Sequence, residues 1–199
     1  MTDILVQQAY SERTAEYTSA LGSIDQMHTL DQHRIGRWAD QIGGSVLDAG
    51  CGPGHWTDFL HGRGVDVSGI DLVAEFVDGA RRRFPNVTFE VSSLRHIDAP
   101  DGSLKGVLAW YSLIHVPPTE LPAILSELSR VLAPQGHLLI GFFEGNSAEP
   151  FDHAITTAYY WSVEQMTSLL HNAGFEMIDV ETRQDAGSRP HAAISAIVR

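Results

Sequence analysis

Short apolar runs alternate with helical patterns along most of the chain. The runs fall near residues 45–49, 65–70, 87–91, 105–110, 136–143, 175–182 and 192–198, and each reads as a strand. Helical patterns lie between them near 56–63, 74–84, 119–132 and 162–173. Strands that alternate with helices predict βαβ units and a parallel sheet. Breakers mark several ends: Pro85 follows Arg83-Phe84, and Gly174 follows His171-Asn172-Ala173 as a helix C-terminal glycine. Ser162, with Gln165 three residues on, reads as a capping box.

The last two runs break the alternation. TRQDAGSRPHA separates them, a polar Gly- and Pro-containing hairpin loop with no helix, so they predict an antiparallel pair. The expected architecture is a three-layer αβα Rossmann-like sandwich whose seven-stranded, mostly parallel sheet ends in one reversed strand. Ahead of the first strand lie 44 residues with helical character, including Ile4 to Leu21 and His28 to Ile42.

A chain of 199 residues suits a single domain with a substantial core. The reading is one domain over 1–199, with a helical cap over 1–44 and the sheet-bearing core over 45–199. No apolar run approaches the ~20 residues needed to span a bilayer. MTDILVQQAYSERT lacks the basic and apolar regions of a secretory signal. A single cysteine excludes an intramolecular disulfide and fits a reducing cytoplasm. Cys51 itself reads as a small buried spacer rather than a reactive thiol.

Charge narrows the partners further. The net charge of −12 disfavours nucleic-acid substrates and anionic membranes, because a phosphate backbone selects a basic groove. Arg81-Arg82-Arg83 reads instead as a solvated helix end near the negative pole of the helix dipole. The ten histidines show no spacing that suggests a metal site; His28 and His33 lie five apart, unlike the i, i+4 pair of a zinc helix.

Candidate chemistry concentrates in VLDAGCGPGHWT, Val46 to Thr57. An apolar run ends at Asp48, and Gly50, Gly52 and Gly54 follow two apart. Asp71 closes the next strand, 71 − 50 = 21 residues beyond the first glycine. A glycine turn lets backbone approach a ligand closely, and a carboxylate at the neighbouring strand tip can accept both ribose hydroxyls. These two features build half of an adenosine site. A dinucleotide fold would place its third glycine at position 55, which is histidine here. His55-Trp56 also crowd the helix start where a pyrophosphate would sit, so a nicotinamide enzyme is the weaker reading.

The D-x-G-x-G-x-G spacing resembles the first motif of class I S-adenosylmethionine-dependent methyltransferases of the small-molecule, type 11 kind. The resemblance extends along nearly the whole chain: Asp71-Leu72, FEVSSL (Phe89 to Leu94), GVLAWYSLIHV (Gly106 to Val116) and LSRVLAPQGHLLIGFF (Leu128 to Phe143) follow in the family's order. It implies that Asp48, Ala49, Gly50 and Gly52 set the methionine end of the cofactor. It places Asp71 on the ribose, Leu72 on the adenine face, and Ser93 and Leu94 at the adenine edge. Ser93 departs from the aspartate that many relatives carry there. Ala109 and Trp110 match the place where a backbone carbonyl meets the cofactor's amino group. Tyr10 and Tyr17 resemble N-terminal aromatics that close over the cofactor in related families, with helix-to-core packing as the alternative. His115, in YSLIH, is a candidate general base or a structural histidine.

The resemblance implies a transferase that takes a methyl group from S-adenosyl-L-methionine, releases S-adenosyl-L-homocysteine and methylates a small or medium-sized acceptor. A cofactor-binding sensor or partner subunit without transferase activity is the alternative. The NPPY-type motif of nucleic-acid amino methyltransferases is missing. The aromatic-rich stretch 143–161, with Phe143, Phe151, Tyr159, Tyr160 and Trp161, reads either as an apolar acceptor pocket or as core closing over the sheet edge.

Overall fold

The computed structural model describes residues 2–199. Seven strands form one sheet: β1 (Val46–Ala49), β2 (Val67–Asp71), β3 (Thr88–Val91), β4 (Leu104–Trp110), β5 (Leu132–Phe143), β8 (Phe175–Arg183) and β9 (His191–Val198). Their order across the sheet is β3-β2-β1-β4-β5-β9-β8. The first five pair in parallel, whereas β9 runs antiparallel to both β5 and β8. The seven-stranded, mostly parallel architecture is therefore as expected, but the reversed strand does not end the sheet. It sits inside, and β8 takes the edge. Side chains account for the exchange. Ala192, Ala193, Ile194 and Ala196 make β9 small and apolar on both faces, as an interior strand requires. β8 carries Glu176, Asp179 and Glu181, charges that suit an edge open to water.

Neighbouring residues on the central strands point to opposite faces, and each face has its own helices. Val107, Ala109, Leu138 and Ile140 join the cluster that includes Leu121, Leu125 and Leu128 of α6 (Leu121–Val131) and Met166 and Leu170 of α7 (Val163–Asn172). On the other face, Val46, Leu108 and Leu139 meet Ile35 and Trp38 of α3 (Thr29–Ala39) and Trp56 and Leu60 of α4 (His55–Gly62). Burial on both faces explains why these strands read as continuous apolar runs. Helix α5 (Ala74–Arg83) packs along β2 and β3. Its terminal arginines reach backbone carbonyls: Arg81 Nε donates to Phe89 O at 2.9 Å, and Arg83 donates to Gly22 O at 2.5 Å and Pro53 O at 3.2 Å.

The N-terminal segment is helical over Ile4 to Leu21, as expected, with one break. Two helices form, α1 (Thr2–Ser11) and α2 (Thr14–Leu21), broken at Glu12-Arg13. The Thr14 hydroxyl bonds the Tyr10 and Ser11 carbonyls at 2.9 and 3.1 Å, a local side-chain alternative to the helix ladder. A two-residue ribbon of β6 (Pro150–Phe151) and β7 (Ala158–Tyr159), too short to leave a periodic pattern, was not expected. Ser162 does cap α7: its Oγ accepts from Gln165 N at 3.1 Å, and Gln165 Oε1 accepts from Ser162 N at 3.4 Å. Ser162→Ala is expected to lower unfolding free energy by about 1 kcal/mol in a denaturant titration. No helix among the described residues is long and apolar enough to cross a membrane.

Candidate functional site

The three glycines after β1 perform different tasks. A methyl group on Gly50 would lie 2.3 Å from Ser112 Cβ, so glycine here lets the β1 turn approach the segment after β4. Gly54 admits Ala80 and Phe89, whose side chains would stand 2.8 and 3.0 Å from an added Cβ. Gly52 differs, because nothing lies within 4 Å of its missing Cβ. It therefore opens onto free space, with φ at +51° in the left-handed region that glycine tolerates.

Asp71 ties this turn to β2. Its carboxylate accepts from Gly52 N and from Val73 N, both at 2.8 Å. Burial pushes the carboxyl up from its ordinary range, and the backbone N–H donors of Val73, Gly52 and Leu72 oppose that shift. Gly50, Gly52, Asp71, Leu72, Ser93, Leu94 and Trp110 line one cavity at the carboxyl end of the parallel strands, as do Tyr17 and His115. Ligands bind open α/β sheets at this end. Ser112 Oγ, also in the cavity wall, is buried without a hydrogen-bond partner. Open space at Gly52, an accepting carboxylate and an unpartnered hydroxyl fit a ligand carrying both hydroxyl and charged amino-acid groups.

Asp48, Ala49 and Ala109 are buried and do not line the cavity. Asp48 instead accepts from Thr57 Oγ1 at 2.6 Å and so anchors the start of α4. Burial raises its pKa to about 7, against the lowering effect of the Thr57 bonds. Folding therefore binds a proton at Asp48, and this contribution to stability is lost as pH rises from about 4 to about 7. The difference in unfolding free energy between the wild type and Asp48→Asn is expected to move against the wild type across that window.

Helix α1 roofs the cavity. Tyr10 and Tyr17 meet edge to face at 5.4 Å, and both contact Phe76, at 5.9 and 5.4 Å. Burial pushes both phenols up, Tyr17 to about 12. Four bonds hold the roof to the rim: Asp3 Oδ2 accepts from Ser93 Oγ at 3.0 Å, Asp3 Oδ1 accepts from Arg95 Nε at 2.8 Å, Gln7 Nε2 donates to Leu72 O at 3.1 Å and Ser11 Oγ donates to Glu75 at 2.9 Å. Asp3 therefore brings a carboxylate to the position where Ser93 lacks one. Nothing in the local sequence pairs residues 90 positions apart, so Asp3 was missed, as was Phe76.

His115 lies at the same roof. Its Nδ1 faces the Thr157 carbonyl at 2.8 Å, which can only accept, so Nδ1 carries the proton. Nε2 then accepts from the Tyr10 hydroxyl at 2.9 Å. Burial lowers the imidazole pKa. Both ring nitrogens are thus engaged, and His115 latches α1 to the segment after β4.

The aromatic stretch divides between the core and a separate cluster. Trp161 and Tyr159 join the core. Phe143, Phe151 and Tyr160 form a separate cluster, with ring centroids at 5.4 and 4.2 Å, and Phe143 lines a second cavity together with Tyr111, His191 and Arg189. Cys51 is buried beside Val77 and Phe89, and burial pushes its thiol up, so it packs as a spacer.

A family described as a methyltransferase domain matches residues 46–136, the stretch from β1 into β5. Malonyl-(acyl-carrier protein) O-methyltransferase of Yersinia pestis is 31% identical over 144 residues, covering 70% of this chain and 53% of that protein. The chain spans about half the length of the curated relatives it matches. Among solved structures, magnesium protoporphyrin IX methyltransferase of Synechocystis, with S-adenosylmethionine bound, superposes at a TM-score of 0.78 with 18% identity, covering 100% of this chain and 98% of that one. The (4+2)-cyclase SpnF superposes at 0.81 with 20% identity, covering 97% and 94%. At such identities these two structures show a shared fold alone.

Proposed function

We propose that the chain is an S-adenosyl-L-methionine-dependent methyltransferase acting on a small or medium-sized acceptor, with residues 45–199 as the catalytic core and 1–44 as its cap. The observation that carries this reading is the cavity in which Gly52 opens beside the Asp71 carboxylate, under the Tyr10–Tyr17–Phe76 roof. Asp71 accepts the ribose hydroxyls, Leu72 and Leu94 flank the adenine, and Ser93 with Asp3 presents acceptors at its edge. Gly50, Gly52 and Ser112 hold the methionine end, and Trp110 forms the wall behind it. Asp48, Ala49 and Ala109 support these residues from the strand tips beneath.

When bound, the cofactor supplies an electrophilic methyl group on a positively charged sulfur. The chain's task is to orient the acceptor in line with that group and to exclude water, since methyl transfer draws mainly on positioning and desolvation. His115 holds Tyr10 in the roof; for it to serve as a base, Tyr10 must first leave its Nε2. The single free cysteine supports a reducing, cytoplasmic setting, and the net charge of −12 argues against nucleic-acid acceptors.

Calorimetric titration with S-adenosylmethionine, S-adenosylhomocysteine and NAD tests the reading. Micromolar binding of the first two and none of NAD is the expected result; binding of NAD instead overturns it. Transfer of a labelled methyl group to metabolites in cell extract then separates an enzyme from a cofactor sensor.

A further inference from the structure

Tyr111 follows β4 directly and is the only described residue that lines both cavities. Its backbone adopts φ +57°, a left-handed conformation rarely taken by bulky residues and frequent at functional positions when it occurs. The phenol hydroxyl hydrogen-bonds Nδ1 of His191, and the two rings stack with centroids 5.8 Å apart and planes at 18°. His191 is buried on β9, opposite Phe143 of β5 on one side and Arg183 of β8 on the other. On the second-cavity side, Phe143 supplies an aromatic wall, and the Arg189 guanidinium, stacked 4.7 Å from the Phe151 ring, has no carboxylate partner among the described residues.

We infer that the second cavity seats an aromatic hydroxyl compound as methyl acceptor and that Tyr111 and His191 relay its proton. The inference deepens the methyltransferase reading and rests on it. The acceptor O–H gives its proton to Tyr111 Oη while the phenol's own proton passes to His191 Nδ1. The electron pair released on the acceptor oxygen forms the new O–C bond to the methyl carbon. The C–S bond breaks with its electrons left on sulfur. The proton on the imidazole then leaves to water through the second cavity.

A relay suits this site better than Tyr111 acting alone. Burial pushes the Tyr111 phenol up, which disfavours a free phenolate. Passing the proton onward avoids that state. Burial also lowers His191, so the ring is a neutral acceptor at rest. The charged groups that face it are Asp31 of α3, Glu181 and Arg183 of β8, and Asp185 of the loop before β9. Three of the four favour the imidazolium, and Arg183 is paired with Asp31 at 2.7 Å and Asp185 at 2.8 Å. The neighbourhood therefore accommodates the transient positive charge.

The probe is 4-nitrophenol, incubated with the protein and methyl-labelled S-adenosylmethionine at a pH where the free phenol is neutral. Calorimetric binding of S-adenosylhomocysteine comes first; its failure overturns the methyltransferase reading itself. With that binding in place, the wild type is expected to convert the probe to labelled 4-nitroanisole. Tyr111→Phe, which keeps the ring, and His191→Gln are each expected to lose that turnover and to regain most of it at a pH where the free phenol is ionised. Thermal melts establish that the variants fold, and Tyr111→Phe carries the test alone if His191→Gln does not. No labelled product from the wild type, full turnover by a folded variant at the lower pH, or no recovery at the higher pH overturns the relay.

Discussion

Gly50→Ala is expected to destabilise the fold by about 2–5 kcal/mol, the sum of left-handed backbone strain and overpacking. At φ +83° the added methyl would stand 2.3 Å from Ser112 Cβ and 3.5 Å from Ser112 Cα. The obstacle is thus not the far end of a flexible side chain. Relief requires moving the segment after β4 away from the β1 turn, and that segment carries Tyr111, Ser112 and His115 into the cavity wall. Chemical denaturation measures the stability loss, and S-adenosylhomocysteine titration should show affinity falling with it. Gly52→Ala is the informative contrast. Its methyl meets nothing within 4 Å and projects into open space, so the fold should lose less, while the ligand loses room. A Gly50→Ala protein as stable as the wild type would show that the two segments are not in close contact.

Asp71→Ala is expected to weaken S-adenosylmethionine binding by about 1–3 kcal/mol, the scale of a lost hydrogen bond to a charged group. Two effects combine in this variant. The ribose acceptor disappears, and the backbone donors Gly52 N and Val73 N lose their shared carboxylate. Asp71→Asn keeps one accepting oxygen of the two, so it retains at most one of the turn's bonds and is expected to lose less affinity than Asp71→Ala. Calorimetry on both variants decides, and unchanged affinity in Asp71→Ala removes the residue from the site.

Local sequence determined the parts of this protein that depend on chain neighbours. The period of apolar positions marked the seven sheet strands and the helices between them, because burial on one or both faces leaves a direct imprint on side-chain order. The Ser162–Gln165 cap and the positive φ of Gly174 followed from residues within one turn. The glycine turn and Asp71 were legible for a related reason: a parallel βαβ unit fixes how far apart in the chain two adjacent strand tips must fall.

Tertiary structure alone decided the rest, wherever the deciding partner is distant in the chain. The order β5-β9-β8 depends on which strand tolerates the edge, a competition between segments. Asp3 meets Ser93, Tyr10 meets His115, and Tyr111 meets His191 across 90, 105 and 80 residues. Asp48 shows the converse case, where a motif residue turns inward to Thr57 rather than toward the cavity. Spacing places a residue at a strand tip, but only packing against the remaining chain decides which way its side chain turns and which partner it meets.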